Sequence, residues 1–592
     1  MKKYKHIYAD LEKVNRHIII DSKNNNNEHR SHTCNTNRVL RFIRSYSDGC
    51  ISNSRVINLS SAQGVKMSNA IVWFRNILRI HDNPLLDWAE SSTEVNSVIP
   101  VYILEENWHS DEKTELGVNR LTFLLDSLLD LDRRLNEKYG ANLLVFSGDA
   151  GEIIKSLVDT SDEKISWLLS DYCSEPKNRK ELNEIKEKLS GKGVEIKIFS
   201  AVNTILDIEK ITQRDGFKAP KSTKDMKKIF EENNVVNPDG YLSEGNLPIP
   251  KQVSSDFLLI DSLVKHKQVS KHYITSNEMR ERNYQLRLDA GFDKSYFLGG
   301  ETEALKRLKL KISDCPDYVS NFRKPKTFST NEIDNLMEPS TTGLSAYISN
   351  GCLSVKMVWN ECTKVRNPLD HSKPPESLHG QLMFREMFYL LSRHVENWDE
   401  DHGNSNCIPI DWGDYDEEKI NAWESGKTGF PYIDSMMRQL DSTGWMHHLG
   451  RHAVSCFFTR GQLWQNWKYG RDIFQKKLVD SDWAVNNGNW LWLAGVAPFS
   501  MPYYRVYNPC PDNKSSLNVE TKNADFIRYW VPELALFPSK YIFEPHLAPL
   551  EVQRESNCII GRDYPLPIVE RNESRKENIT KFKLSNMLLK EK

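Results

Sequence analysis

Histidine and charged residues are concentrated in one stretch of the C-terminal half of the chain. His448 and His452 are four residues apart, so on a helix they share one face. Arg451 precedes the second histidine and can pair with a buried carboxylate such as Asp480, and Asp482 follows two residues later. Burying these groups costs free energy unless they pair with each other or with a ligand. The stretch is therefore either a satisfied core network or a binding site, and the number of such groups favours a binding site.

The composition excludes several classes of protein. The 592 residues include 79 Lys and Arg against 81 Asp and Glu, so binding to nucleic acid requires a local basic surface. The ten cysteines form no Cys-X-X-Cys pair and no metal-ligand spacing, which predicts reduced thiols in an intracellular protein and no metal site. No apolar run approaches the roughly 20 residues that cross a bilayer, so we expect no membrane partner.

Short apolar strands alternate with helical patterns near the start of the chain. We expect strands at 70–74, 98–104, 142–146, 165–169 and 194–199. Such alternation predicts a doubly wound, Rossmann-like parallel sheet, in which ligands bind beyond the carboxyl ends of the strands. Strand signals nearly vanish after Gly299, where long helical patterns begin. The predicted fold class is therefore α/β followed by all-α.

The changes in pattern predict five segments. They are a disordered N-terminal extension (1–67), an α/β domain (68–204), a connector (205–298), a helical domain (299–570) and a short charged tail (571–592). The extension contains the run Asn24–Asn27 and little that could pack a core. It is a disordered tail, a gene-model extension ahead of a start at Met67, or an organelle transit peptide, the last being the least favoured. The expected localisation is the nucleus and cytoplasm.

Several ordered motifs resemble those of the cryptochrome/photolyase family. They are Trp73–Pro84, Thr341–Ser345, Gly351–Ser354, Gln381–Glu386, Gly426–Pro431 and Asp480–Asp482. The resemblance implies an N-terminal antenna domain and a C-terminal helical domain that binds FAD for light-driven electron transfer. It leaves open whether the carboxyl end of the sheet holds a pterin, a deazaflavin or no second chromophore.

The resemblance also assigns roles around the FAD. The residues implied to bind it are Thr341, Thr342 and Ser345 at the pyrophosphate, Gln381, Arg385, Asp480, Asp482, and Arg451 as the partner of Asp480 beneath the flavin. A helix start suits a pyrophosphate because backbone amides and the helix dipole favour an anion. Asn486 matches the residue that faces flavin N5, and an amide can turn either its donor or its acceptor side to that atom.

Four tryptophans resemble an electron-transfer chain from flavin to surface. Trp490, Trp467 and Trp412 match the family's chain, and they lie so far apart in sequence that only the fold can bring them together. Trp464, three residues before Trp467, is either a fourth member or a core residue, and core packing is the favoured alternative.

The run His447–His452 resembles the (6-4) photolyase and animal cryptochrome branch. In (6-4) photolyases the residues that match His448 and His452 lie over the lesion and supply a proton with the injected electron, a task suited to an imidazole. UV-damaged DNA would then be the partner.

Three further residues match DNA contacts of that branch. Gln381 would read flipped-out bases, and Lys218 and Lys221 would contact phosphates unless they are ordinary surface charges.

Two departures favour a signalling cryptochrome instead. Phe384 stands where the family usually has Trp, and residues 495–507 depart from the branch pattern beside the implied lesion pocket. A cryptochrome would have clock or signalling proteins as partners. The sequence therefore leaves two functions open: (6-4) repair, which the histidines and the short tail favour, and signalling.

Overall fold

The computed structural model describes most of the chain beyond the N-terminal extension. The described residues are 68–110, 115–233, 235, 264–291, 297–323, 331–332, 335–511 and 523–591. The predicted disorder of residues 1–67 lies outside them. Within these ranges no helix is long and apolar enough to cross a membrane. In the same part of the chain no group of His, Cys, Asp and Glu side chains could hold a metal ion.

A six-stranded sheet forms the core of the N-terminal region. Its strands are β1 (Ser68–Phe74), β2 (Val95–Leu104), β3 (Leu144–Ser147), β4 (Ile165–Asp171), β5 (Glu195–Phe199) and β6 (Tyr273–Ile274). They lie in the order β5-β4-β1-β2-β3-β6, and all neighbours are parallel except β3 and β6. Strand β1 is buried along its whole length, as expected of a central strand covered on both faces. The predicted α/β class is confirmed.

Four helices connect the parallel strands. They are α1 (Pro84–Ser91), α2 (Val118–Tyr139), α3 (Ala150–Thr160) and α4 (Pro176–Leu189). The side chain of Asn83 accepts hydrogen bonds from the Leu85 and Leu86 amides and so starts α1. Helix α2 ends at Gly140, whose φ of 68° suits a residue without a Cβ.

The predicted connector contributes to the sheet. It contains α5 (Ile208–Thr212), α6 (Thr223–Glu232), α7 (Lys267–Ser270), strand β6 and α8 (Ser276–Ala290). A capping box formed by Thr275 and Glu278 starts α8. Asn283 and Arg287 of α8 donate to the Asp126 carboxylate on α2. Sequence patterns missed the sixth strand because two residues carry no detectable alternation.

The rest of the described chain is mainly helical, as predicted. Its helices are α9 (Glu301–Leu308), α10 (Pro316–Asn321), α11 (Ser345–Ser349), α12 (Val355–Val365), α13 (Leu378–His394), α14 (Glu417–Glu424), α15 (Pro431–Thr443), α16 (His448–Cys456), α17 (Trp467–Lys477), α18 (Trp483–Ala494), α19 (Asp525–Trp530), α20 (Leu550–Glu555) and α21 (Arg571–Glu591). A small antiparallel pair, β7 (Asn331–Glu332) and β8 (Asn335–Pro339), precedes α11. Short π-helical turns (Lys309–Ser313 and Phe457–Gly461) follow α9 and α16.

The predicted charged tail forms helix α21 and packs on the helical region. Phe582 is buried, Asn578 donates to the Gly461 carbonyl at 3.2 Å, and Ser585 accepts from the Asp411 amide at 3.1 Å. The sequence signal was weak because few apolar side chains of this charged helix face the core.

A buried polar network joins the first loop of the sheet to the helical region. Glu301 at the start of α9 binds the His81 ring and accepts from Arg134 at 2.9 Å. Burial opposes ionisation of Glu301, but the neighbouring His81 and Arg134 outweigh it and lower its pKa. The network fixes the helical region against the sheet and therefore positions any site that uses residues of both.

Candidate functional site

A cavity of about 370 Å³ lies among the central helices. Its lining includes every residue that the sequence assigned to FAD binding, the two predicted catalytic histidines and one predicted relay tryptophan: Thr341, Thr342, Ser345, Gln381, Arg385, Arg451, Asp480, Asp482, Asn486, His448, His452 and Trp490. These residues come from four stretches of sequence, so the fold alone gathers them. The size is in the range of cofactor pockets.

Asp480 is held from two sides at the cavity wall. Its Oδ2 accepts hydrogen bonds from Arg451 Nη2 at 2.8 Å and from Ser345 Oγ at 2.7 Å. Arg451 Nε also donates to the Met446 carbonyl at 2.8 Å, which fixes the guanidinium on its own turn. No donor among the described residues reaches the buried Oδ1 of Asp480. That oxygen can accept a hydrogen bond from a ligand hydroxyl.

Asp482 caps α18 and contacts a second arginine. Its Oδ1 accepts from the Val485 amide at 3.1 Å, and its Oδ2 accepts from Tyr389 Oη and from Arg385 Nη2, the latter at 3.4 Å. Burial disfavours charge on Arg385, but Tyr389 and Asp482 outweigh it and raise its pKa. Sequence reasoning missed Tyr389, although its position four residues after Arg385 on α13 places it on the same helix face.

The side chain of Asn486 is oriented by α17. Its Nδ2 donates to the Arg471 carbonyl at 3.1 Å and to Gln475 Oε1 at 3.2 Å. Asn486 is buried, with 7% of its surface exposed, and lines the cavity. Sequence reasoning did not name Gln475, since nothing in its own spacing relates it to Asn486.

His448 and His452 lie one turn apart on α16, with ring centroids separated by 5.8 Å. The His452 ring packs edge-on against Trp492 at 4.8 Å, and its Nδ1 lies 3.1 Å from Tyr507 Oη. Burial raises the pKa of Tyr507, so the phenol keeps its proton and can donate it to Nδ1. The neutral His452 ring then carries its own proton on Nε2. Tyr507 was not named in advance, although it ends the atypical segment 495–507.

The inner predicted relay residue, Trp490, borders the cavity. Its indole is fully buried and lies 5.1 Å from the Phe474 ring and 6.3 Å from the Trp423 ring. Trp423 was not predicted, and its own indole donates to the Val454 carbonyl at 3.1 Å.

The outer predicted residues, Trp412 and Trp464, form a pair. Their ring centroids are 4.9 Å apart, and the Gly413 amide donates to the Trp464 carbonyl at 3.1 Å. Trp467 is fully buried beside the Arg471 guanidinium. The ring contacts of the described residues do not join Trp467 to Trp490 or to Trp412, so the continuity of the relay stays a prediction.

The residues predicted to contact DNA lie in different places. Gln381 and Phe384 line the cavity, and Gln381 Nε2 donates to the Pro375 carbonyl at 3.0 Å. Lys218 and Lys221 are exposed on the loop between α5 and α6 and do not line this cavity.

A second cavity of about 250 Å³ lies at the carboxyl edge of the sheet, where the sequence left open a pterin, a deazaflavin or no second chromophore. Its lining includes Arg120, Glu105 after β2 and Glu175 after β4. Burial raises the pKa of Glu105 and Glu175 and lowers that of Arg120. Asp482 and Ser481 line both cavities, so the two share a wall.

Comparison with known proteins supplies the family. A family model described as DNA photolyase matches residues 70–239, and one described as the FAD binding domain of DNA photolyase matches residues 377–584. The (6-4)DNA photolyase of Arabidopsis thaliana is 36% identical over 519 residues, which cover 86% of this chain and 87% of the relative. The chain belongs to the photolyase/cryptochrome family.

Relatives of both functional kinds are similar to this photolyase/cryptochrome chain. Cryptochrome-1 of Sylvia borin is 34% identical over 517 residues, which cover 87% of the chain and 78% of the relative. A crystal structure of a bacterial class III photolyase from Agrobacterium tumefaciens matches with a TM-score of 0.70 at 26% identity, covering 89% of this chain and all of that one. The family predicted from the motifs is confirmed, and overall identity does not separate repair from signalling.

The cavity residues fit FAD. The matched FAD-binding domain contains Gln381, Arg385, Arg451, Asp480, Asp482 and Asn486. The buried Oδ1 of Asp480 is an acceptor suited to a hydroxyl-bearing cofactor, and the two arginines suit an anionic one. The chemistry of FAD, the cofactor of the photolyase/cryptochrome family, therefore agrees with the charged side chains that line the cavity.

Proposed function

We propose that this photolyase/cryptochrome is a (6-4) photolyase that repairs UV-damaged DNA. The observation that carries the proposal is the position of His448 and His452 in the same cavity as Arg451, Asp480 and Asp482. Bound FAD supplies an electron to the lesion when excited by light. The chain supplies the geometry, the exclusion of water and the proton.

The acidic and basic side chains hold the cofactor. Arg451 and Ser345 fix Asp480 through one oxygen and leave its Oδ1 for a ligand hydroxyl. Arg385 and Tyr389 fix Asp482 through its Oδ2, while its Oδ1 accepts from the Val485 amide. Because these groups are already paired, ligand binding requires little reorganisation of the wall.

The two histidines form the acid side of the cavity. With Tyr507 donating to Nδ1, His452 is the neutral member of the pair, so the ring that carries the positive charge and can donate a proton is His448. His448 lies 5.8 Å away, so the two imidazoles share a small volume and disfavour two positive charges. We propose that the pair carries one positive charge and donates one proton to the lesion oxygen.

A light-signalling cryptochrome is the second candidate. Phe384 lines the cavity with a ring that offers less stacking area to a flipped base than Trp would. In that case the same cavity holds FAD, and the partner is a signalling or clock protein rather than DNA.

Repair of a defined lesion tests the proposal. Purified, reduced protein with bound FAD is illuminated with blue light in the presence of an oligonucleotide that carries a (6-4) photoproduct, and products are separated by chromatography. Restored thymines support the photolyase. Bound, photoactive FAD without repair favours the cryptochrome, and failure to bind FAD contradicts both.

A further inference from the structure

The orientation of the Asn486 amide is determined by its neighbours. A backbone carbonyl only accepts hydrogen bonds, so the group of Asn486 that lies 3.1 Å from the Arg471 carbonyl is its NH2. The carboxamide is planar, and its Oδ1 therefore points away from α17. Since Asn486 lines the cavity, the oxygen is the side of the amide turned to it.

Gln475 supplies the second acceptor for the same NH2. Its Oε1 accepts from Asn486 Nδ2 at 3.2 Å and from Ser481 Oγ at 2.7 Å. Gln475 and Arg471 are one turn apart on α17, so their two acceptors meet Asn486 together. The Ser481 hydroxyl fixes which end of the Gln475 amide faces Asn486.

We propose that Gln475 is a positioning residue that keeps Asn486 with its acceptor toward the cofactor. The inference rests on the proposed FAD site and on Asn486 facing a flavin ring nitrogen. A hydrogen-bond acceptor that faces this ring nitrogen stabilises reduced flavin, in which the nitrogen carries a hydrogen. It destabilises oxidised flavin, in which the nitrogen has only a lone pair. The protein thus binds reduced, protonated FAD more tightly, relative to oxidised FAD, than it would with a freely rotating amide.

Replacing Gln475 by methionine tests this role. Methionine keeps the length of the side chain but accepts no comparable hydrogen bond, so the Asn486 amide can turn its NH2 to the oxidised ring. We expect the preference for reduced over oxidised FAD to fall about tenfold, which is about 30 mV in the two-electron midpoint potential. FAD content and the denaturation midpoint of the protein are measured alongside.

A double-mutant cycle separates positioning from a general structural effect. In an Asn486→Ala background Gln475 has no amide to orient, so Gln475→Met leaves the midpoint potential where Asn486→Ala has put it. An equal shift of the potential in both backgrounds overturns the proposal, as does no shift in the parent with FAD bound.

Ser481→Ala provides a second variant if Gln475→Met does not fold. It removes the 2.7 Å bond to Gln475 Oε1 and leaves the Gln475–Asn486 contact. We expect a smaller shift of the same sign, absent again when Asn486 is Ala, and an unchanged potential contradicts the role of Gln475. If the proposed FAD site is wrong, the parent protein itself does not bind flavin. That outcome is distinct from an unchanged potential in a variant that still binds FAD.

Discussion

The cavity among the central helices (the helical cavity) and the cavity at the carboxyl edge of the sheet share a wall that includes Ser481 and Asp482. The two cavities differ in how their charged side chains are paired. In the helical cavity Asp480 and Asp482 are each bound to an arginine and a hydroxyl. At the edge of the sheet, burial raises the pKa of Glu105 and Glu175 and lowers that of Arg120. Paired charges keep their charge and orientation without a ligand, whereas desolvated ones tend to neutralise. The helical cavity is therefore the preorganised one.

The largest expected effect concerns the histidines of the helical cavity. We expect His448→Ala and His452→Ala each to lower (6-4) repair by about 10²–10⁴-fold, the usual worth of a general acid, with FAD still bound. The measurement is repair yield per absorbed photon, with flavin content determined in each variant. An active parent with unaffected variants contradicts the catalytic role, and an inactive parent moves the assignment to the cryptochrome.

Neutralising one carboxylate in each cavity tests the comparison directly. Asp480→Asn weakens the pair with Arg451, and we expect the Kd for FAD to rise about 10- to 100-fold, as for the loss of a charged hydrogen bond. The matched change Glu105→Gln, at the other cavity, should leave this Kd within about twofold, because neither Glu105 nor its ion-pair partner Lys177 lines the helical cavity. Fluorescence titration of apoprotein with FAD measures both. Equal effects would break the distinction between the two cavities.

Trp490→Phe tests whether the helical cavity connects to a relay. Phenylalanine keeps an aromatic ring but is much harder to oxidise, so we expect photoreduction to slow by about tenfold or more with FAD retained. Trp423→Phe is the control, since Trp423 contacts the Trp490 ring but does not line the cavity. Absorbance during blue illumination reports the rate. A parental rate in Trp490→Phe contradicts its assignment.

The smallest effect on the site is expected at Glu386, which is fully buried and lines neither cavity. Burial raises its pKa to about 7, against the influence of the adjacent Arg385, from an ordinary value of 4.5. The folded state therefore holds the proton more tightly, so this group's stabilisation is greatest below about pH 4.5 and is lost as the pH rises to about 7. The size is on the order of 1–3 kcal/mol.

Glu386→Gln should remove that pH dependence. Glutamine can still accept from the Ile205 and Leu206 amides, which bind Glu386 Oε2 at 3.0 Å, but it does not titrate. Urea denaturation at several pH values between 5 and 8 measures the free energy of unfolding of both proteins. Parallel pH profiles would show that Glu386 is not the group responsible.

Local spacing and motif order predicted much of the site. His448 and His452 share a helix face because a helix repeats every 3.6 residues, and that relation needs no tertiary contact. The nine residues assigned to FAD were found through their resemblance to ordered motifs, and all of them line one cavity. The same spacing argument could have found Tyr389, because it lies four residues after Arg385 on α13.

The relations that escaped prediction join distant parts of the chain. Tyr507 meets His452 across 55 residues, and β6 reaches the edge of the sheet from within the predicted connector. Helix α21 covers Trp412 and Trp464 through Phe582. Such contacts depend on how helices and strands pack, and a short strand or one buried ring leaves no periodic pattern in the sequence.

The sequence by itself determined the fold class, the family and the residue types of the helical cavity, because these depend on local patterns and on ordered motifs. Only the tertiary structure decided how those residues are oriented. The Asn486 amide could have turned either side to a ligand, and the packing of α18 on α17 places two acceptors against its NH2. A hydrogen bond is directional and constrains its donor to a few tenths of an ångström and a few tens of degrees, a precision that spacing along a chain does not contain.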